Sequence, residues 1–152
     1  MSSTRSIRIA AAAIAFGLWA GAGCTADVSA SEQQAQGKKY TLKVETSPEA
    51  VAKAKAATYK ITITPKEGFL LKTVTPFKAK LSSSTGIEIA KAAFTAKDFD
   101  DPKAAAKSVS TSITCKSAGQ NEIDADLTFF ICNDELCERF KEKPKLTFAV
   151  KE

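Results

Sequence analysis

The chain has 152 residues, 44% of them hydrophobic, with 22 Lys and Arg against 17 Asp and Glu, a formal net charge of +5. It contains no histidine, which excludes Ser-His-Asp and Cys-His nucleophile pairs, His-containing zinc sites and ordinary copper sites. Its seven glycines are scattered and build no phosphate-cradling loop, so neither a metal nor a small-molecule cofactor is expected.

The first stretch, "MSSTRSIRIAAAAIAFGLWAGAGC", opens on Arg5 and Arg8, continues through an apolar run from Ile9 to Ala20 and ends in small residues. That is the layout of an export signal. The run is shorter than the roughly 20 apolar residues a membrane-spanning helix needs. The closing "GAGC" resembles the lipobox of bacterial lipoproteins, with Gly21 where that family prefers an aliphatic residue. The resemblance implies a lipoprotein-type signal over residues 1–23 and a lipid anchor on Cys24, holding an exported protein to a membrane of the cell envelope or periplasm. Cleavage after Ala22 ("AGA") or Ala30 ("VSA") is the alternative and implies a soluble secreted chain. Residues 24–37 read as a flexible tether, because "TADVSASEQQAQG" is polar and short of large apolar groups.

Loss of residues 1–23 removes Arg5 and Arg8 and leaves 20 cations against 17 anions, a net of +3. The remaining cations are nearly all Lys, spread from Lys38 to Lys151. Spread lysines on alternating strands read as a solvated face, and nucleic-acid binding is not expected.

Residues 38–152 are expected to form one domain. Their dominant signal is period two. Tyr40, Leu42 and Val44 share one face of "KYTLKVE"; Tyr59, Ile61 and Ile63 share one of "TYKITIT". Phe77, Ala79 and Leu81 follow, then Ile87 and Ile89, then Val109, Ile113 and Cys115. The longest run sets Ile123, Ala125, Leu127, Phe129 and Ile131 in register, and Leu146, Phe148 and Val150 close the chain. Turn-forming residues fall between these runs at 64–68, 82–86, 98–102, 116–121 and Pro144. About seven half-buried strands predict an all-β fold, an immunoglobulin-like antiparallel β-sandwich, with a cupin or small barrel as the alternative. "SPEAVAKAKAA", residues 47–57, is the one segment with helical composition, though a loop into the next strand serves as well. Phe129, Phe130, Phe140 and Phe148 read as core aromatics at strand spacing.

Four cysteines allow three pairings, and export permits disulfides. If Cys24 is acylated, one of the other three is left over. A hairpin centred near Ala118 and Gly119 would set Cys115 opposite Glu122, with Cys132 ten residues further along. That is roughly 30 Å at ~3.3 Å per residue, whereas a disulfide needs Cα atoms within about 7 Å. Cys115 also shares the core face with Ile113, while Cys132 falls on the face opposite Ile131. The reading is a buried, unpaired Cys115 and a Cys132–Cys137 disulfide. Its loop is short, so its entropic stabilisation falls below the ~3 kcal/mol of a 15-residue loop. Asp134, Glu135 and Glu138 crowd the pair and disfavour a thiolate, partly offset by Arg139 and Lys141.

"ITPKEGFLLKTVTPFKAKLSSSTGIEI" and, later, "LTFFICNDELCERFKEKPKLTFAV" resemble the amino-terminal periplasmic domain of the thiol:disulfide interchange protein DsbD family. The resemblance covers residues 38–152 and is most specific from Leu127 to Phe148. It implies an immunoglobulin-like sandwich and a catalytic redox pair, Cys132 and Cys137, exchanging with a thioredoxin-fold partner. It also implies a cap loop over that pair near Phe69, Leu70, Leu71 and Phe77. Leu70 and Leu71 stand where the family carries polar residues. A non-catalytic reading stays beside it: a sandwich that binds another envelope protein, the disulfide only shaping a loop.

Overall fold

Alternate side chains from Tyr40 onward are buried, and this period-two pattern organises the strands. The computed structural model describes residues 32–33 and 38–152; the expected export signal, Cys24 and most of the expected tether lie outside the described residues. The strands are β1 (Glu32–Gln33), β2 (Tyr40–Ser47), β3 (Val51–Ala52), β4 (Ala56–Pro65), β5 (Lys78–Ser83) and β6 (Ile87–Ile89). They continue with β7 (Ala93–Thr95), β8 (Lys107–Cys115), β9 (Gly119–Cys132), β10 (Cys137–Glu142) and β11 (Lys145–Lys151). One turn of 3-10 helix, Ala96–Asp98, follows β7.

The strands form two sheets, β1-β2-β4-β8-β6 and β3-β11-β9-β5-β7, with β10 paired to β9. The chain is an all-β sandwich. Its core lies between the sheets, with Tyr59, Ile61, Ile63, Val109 and Ile113 facing Ile123, Leu127, Phe129 and Ile131, all at most 2% exposed. Each such side chain contributes about 1.5–3 kcal/mol by leaving water. The two separate sheets replace the cupin or small-barrel alternative.

All seven alternating runs are strands. The others lacked a signal for physical reasons. β1, β3 and β7 have two or three residues, too few to show a period. β10 has one large apolar side chain, Phe140, among charged ones. The sandwich is not wholly antiparallel, because β3 runs parallel to β11 through Val51–Val150 and Ala52–Lys151. Residues 47–57 form no helix: a cis Ser47–Pro48 bond, β3 and a left-handed Ala54 (φ 58°) lead into β4.

One expected hairpin is corrected. β8 and β9 do not pair; β8 lies between β4 and β6, whereas β9 lies in the other sheet. Residues 116–118 form a corner between the sheets, with Gly119 at φ 109°. Cys115 therefore pairs with Ile87, and Glu122 with Thr147.

β9 is the spine of its sheet. Its first half pairs with β11, its last six residues with β10, and its middle with β5 on the other side. β10 and β11 are successive pieces of one returning strand, broken at Lys143–Pro144. Proline has no N–H for the ladder, and its carbonyl instead accepts from Ala125 N at 3.0 Å.

Candidate redox site

The β9–β10 hairpin sets Cys132 directly across from Cys137. Their Cα atoms are 3.9 Å apart and their sulfurs bonded at 2.02 Å. The turn between them is closed without the disulfide. Asn133 N donates to Leu136 O at 2.9 Å, and Asn133 Oδ1 accepts from Glu135 N and Leu136 N at 3.1 and 2.7 Å. This is the local side-chain turn that Asn favours.

The two cysteines differ in access. Cys132 is 0% exposed, whereas Cys137 is exposed. Leu70 flanks Cys132 on the side away from Cys137, exchanging backbone hydrogen bonds with it at 2.8 Å in both directions. Directly opposite residues of an antiparallel pair share a face, so Leu70, Cys132 and Cys137 form one row.

The expected cap-loop residues separate into two roles. Leu70 stands beside the pair, 54% exposed; Leu71 and Phe77 are buried anchors of the same segment. Phe77 packs on Phe99 at 4.7 Å between ring centroids. Phe69 is half-buried against the core, with Lys39 Nζ 5.4 Å from its ring centroid. The exposed large apolar side chains among the described residues are Leu70, Val74 (87%) and Leu136 (64%). All three belong to the segment and the turn that flank the disulfide. Val74 and Leu136 had no sequence signal, since a single apolar residue in a loop carries no period.

The start of β2 clasps β10. Glu142 accepts hydrogen bonds from Lys38 Nζ and from the Tyr40 hydroxyl. Lys39 Nζ holds Glu138 at 2.5 Å. Tyr40 packs edge-on against Phe129 and Phe140, with centroids at 4.9 and 5.0 Å. Burial first, then the hydrogen bond and charge of Glu142, push the Tyr40 phenol far above its ordinary range. This clasp changes the electrostatics expected at the pair. Glu138 lies on the face opposite Cys137 and is neutralised by Lys39, while the next residue on the Cys137 face is Arg139. Asp134 and Glu135 remain at the exposed turn.

Cys115 is buried and free, and burial pushes its thiol pKa up. The full length of β9 separates its corner from the disulfide. Phe130 departs from the core reading: it lies half-buried on the outer face, whereas Phe129 and Phe148 are buried and Phe140 packs on the core. Among the described residues no group of three or more His, Cys, Asp or Glu side chains is placed to hold a metal ion, and no helix is long and apolar enough to cross a membrane. Compared with known protein families and with curated proteins, the chain matches none of them.

Proposed function

We propose that the chain is an exported thiol–disulfide exchange domain whose Cys132–Cys137 disulfide reacts with a thioredoxin-fold partner. The observation that carries this reading is an exposed Cys137 in one row with the exposed Leu70, beside the exposed Leu136 of its own turn. A disulfide used only as a clip would be redundant, since the turn is already closed by Asn133. The exposure of Cys137 and burial of Cys132 favour one order of events. A partner thiolate attacks Cys137 Sγ; the new intermolecular S–S bond forms as the Cys132–Cys137 bond breaks, and its electron pair leaves on Cys132. The partner's second thiolate then attacks its own sulfur in the mixed disulfide and releases Cys137. The partner is oxidised to a disulfide and the domain is reduced by two electrons.

The strand order supports the immunoglobulin-like reading of the sandwich. β2-β4-β8-β6 facing β11-β9-β5 has the four-plus-three order of an immunoglobulin constant domain. The export signal and a lipid anchor at Cys24 complete the proposal. Intact mass of the chain from a bacterial host should show acyl mass on a chain starting at Cys24; a chain starting at Gly23 or Ser31 removes the anchor.

Equilibration against glutathione and thioredoxin buffers tests the exchange. A midpoint between about −270 and −120 mV, the range of oxidoreductase couples, is expected, with Cys132→Ala trapping a partner through Cys137. A midpoint below that range and no trapped species overturn it. The second reading, a binding module with a structural disulfide, then stands on Leu70, Val74 and Leu136, which offer a contact surface without any exchange chemistry.

A further inference from the structure

The outer face of the disulfide-bearing sheet is sorted by charge. Strand alternation puts Asp126, Thr128, Phe130 and Cys132 on that face of β9. Lys141 and Lys78 flank Thr128 from β10 and β5, Arg139 stands beside Phe130, and Lys80 beside Asp126. Lys78, Arg139, Lys141 and Lys143 border a groove of about 490 Å³ floored by the half-buried Thr128 and Phe130. Asp126 is the acid in this strip, 3.4 Å from Lys143. Among the described residues, Lys78, Lys80, Arg139 and Lys141 make no ion pair. Further along β9, Glu122 and Asp124 are both held by Lys145, at 2.9 and 3.7 Å. The fold thus neutralises charge on one half of the sheet and leaves it concentrated on the half that ends at the disulfide. Lys80 faces Asp126 across the ladder, whereas Lys78, Arg139 and Lys141 face Thr128 or Phe130 and have no acid opposite them.

We infer that this strip docks an acidic surface of the exchange partner, carboxylates lying close to the partner's reactive cysteine. The inference rests on the exchange reading above. The groove ends one residue row from the reacting sulfurs, roughly 7 Å from Phe130 to Cys132 along the strand. An occupant held there brings its own thiol to Cys137. The position of the strip favours a protein over an anionic bilayer, because a groove leading along β9 to Cys132 serves an occupant that carries a thiol, and a lipid surface has none to bring.

The test uses the full exported chain and three short peptides: one Cys flanked by Glu, one Cys flanked by Lys, and the Glu peptide with Ser in place of Cys. At low ionic strength the Glu-Cys peptide should open the disulfide about tenfold faster than the Lys-Cys peptide, a difference that added salt erases. The Ser peptide should bind saturably, and Arg139→Glu with Lys141→Glu should abolish both effects while leaving the fold unchanged. Equal rates for the two thiol peptides, with no binding of the Ser peptide, overturn the proposal. Binding of the Ser peptide without opening by either thiol peptide keeps the acidic dock and removes the exchange reading. Retention on equimolar phosphatidylglycerol–phosphatidylcholine vesicles, lost in the double variant and unaccompanied by peptide binding, assigns the strip to lipid and overturns the acidic-protein assignment.

Discussion

The two tyrosines of the chain show how differently one residue type can serve the same core. Both are buried, Tyr40 at 3% and Tyr59 at 1% exposure, and alternation alone places both inward. The Tyr40 hydroxyl reaches Glu142, 102 positions away, whereas the Tyr59 hydroxyl has no hydrogen-bond partner. Removing a satisfied, charge-assisted bond costs about 1.5–3 kcal/mol, while removing a buried hydroxyl that bonds to nothing relieves its desolvation. Tyr40→Phe should therefore lower the denaturant midpoint, and Tyr59→Phe should leave it unchanged or raise it. Both phenols titrate above their ordinary value of 10.0, first through burial. Their folded pKa values exceed the unfolded ones, so their contribution is complete below pH 10 and is lost as pH rises beyond it. Tyrosinate absorbance should appear together with unfolding; ionisation of either tyrosine in the folded chain would contradict the packing. No local pattern in the sequence could have identified Glu142, because the pairing depends on the fold bringing β2 against β10.

At the scale of elements, the β9–β10 hairpin combines what was legible with what was not. The Cys132–Cys137 pairing followed from parity and spacing, even though the hairpin assumed around Gly119 is a corner between sheets. The conclusion survived because either arrangement leaves Cys115 and Cys132 a strand's length apart. β10 itself escaped notice: its period-two pattern is Cys137, Arg139 and Lys141 against Glu138, Phe140 and Glu142. It alternates in charge rather than in hydrophobicity, so no apolar period marks it as a strand. The loop closed by the disulfide spans five positions, so loop-closure entropy supplies about 2 kcal/mol. Denaturant unfolding of the oxidised and reduced chain should differ by no more than that. Asn133→Ala removes the acceptor for Glu135 N and Leu136 N and should speed amide exchange at both while β9 stays protected. A much larger loss on reduction would make the disulfide a staple of the hairpin.

At the scale of the molecule, the sandwich places its least protected features at one end. The segment at residues 69–77, the hairpin turn and the Lys38–Tyr40 clasp lie toward the disulfide, whereas Cys115 and the inter-sheet corner lie a strand's length away. The centre is built from β4, β8 and β9, whose Ile61, Val109, Ile113 and Leu127 are at most 2% exposed. Such an arrangement suits a domain that must hold its fold in both redox states, because opening the disulfide removes no core contact made by those strands. Local stability is expected to follow this division. Amide exchange of the oxidised and reduced chain should therefore differ only around the pair: at Leu70 and Cys132, whose N–H groups bond each other's carbonyls, and at Asn133, bonded to Leu136 O. Amides of Ile61, Val109 and Ile113 should exchange only through global unfolding in either state. If reduction instead loosened β4 and β8, the disulfide would be integral to the sandwich. Each turnover would then unfold the domain that has to present Cys137, and the exchange reading would yield to the binding module.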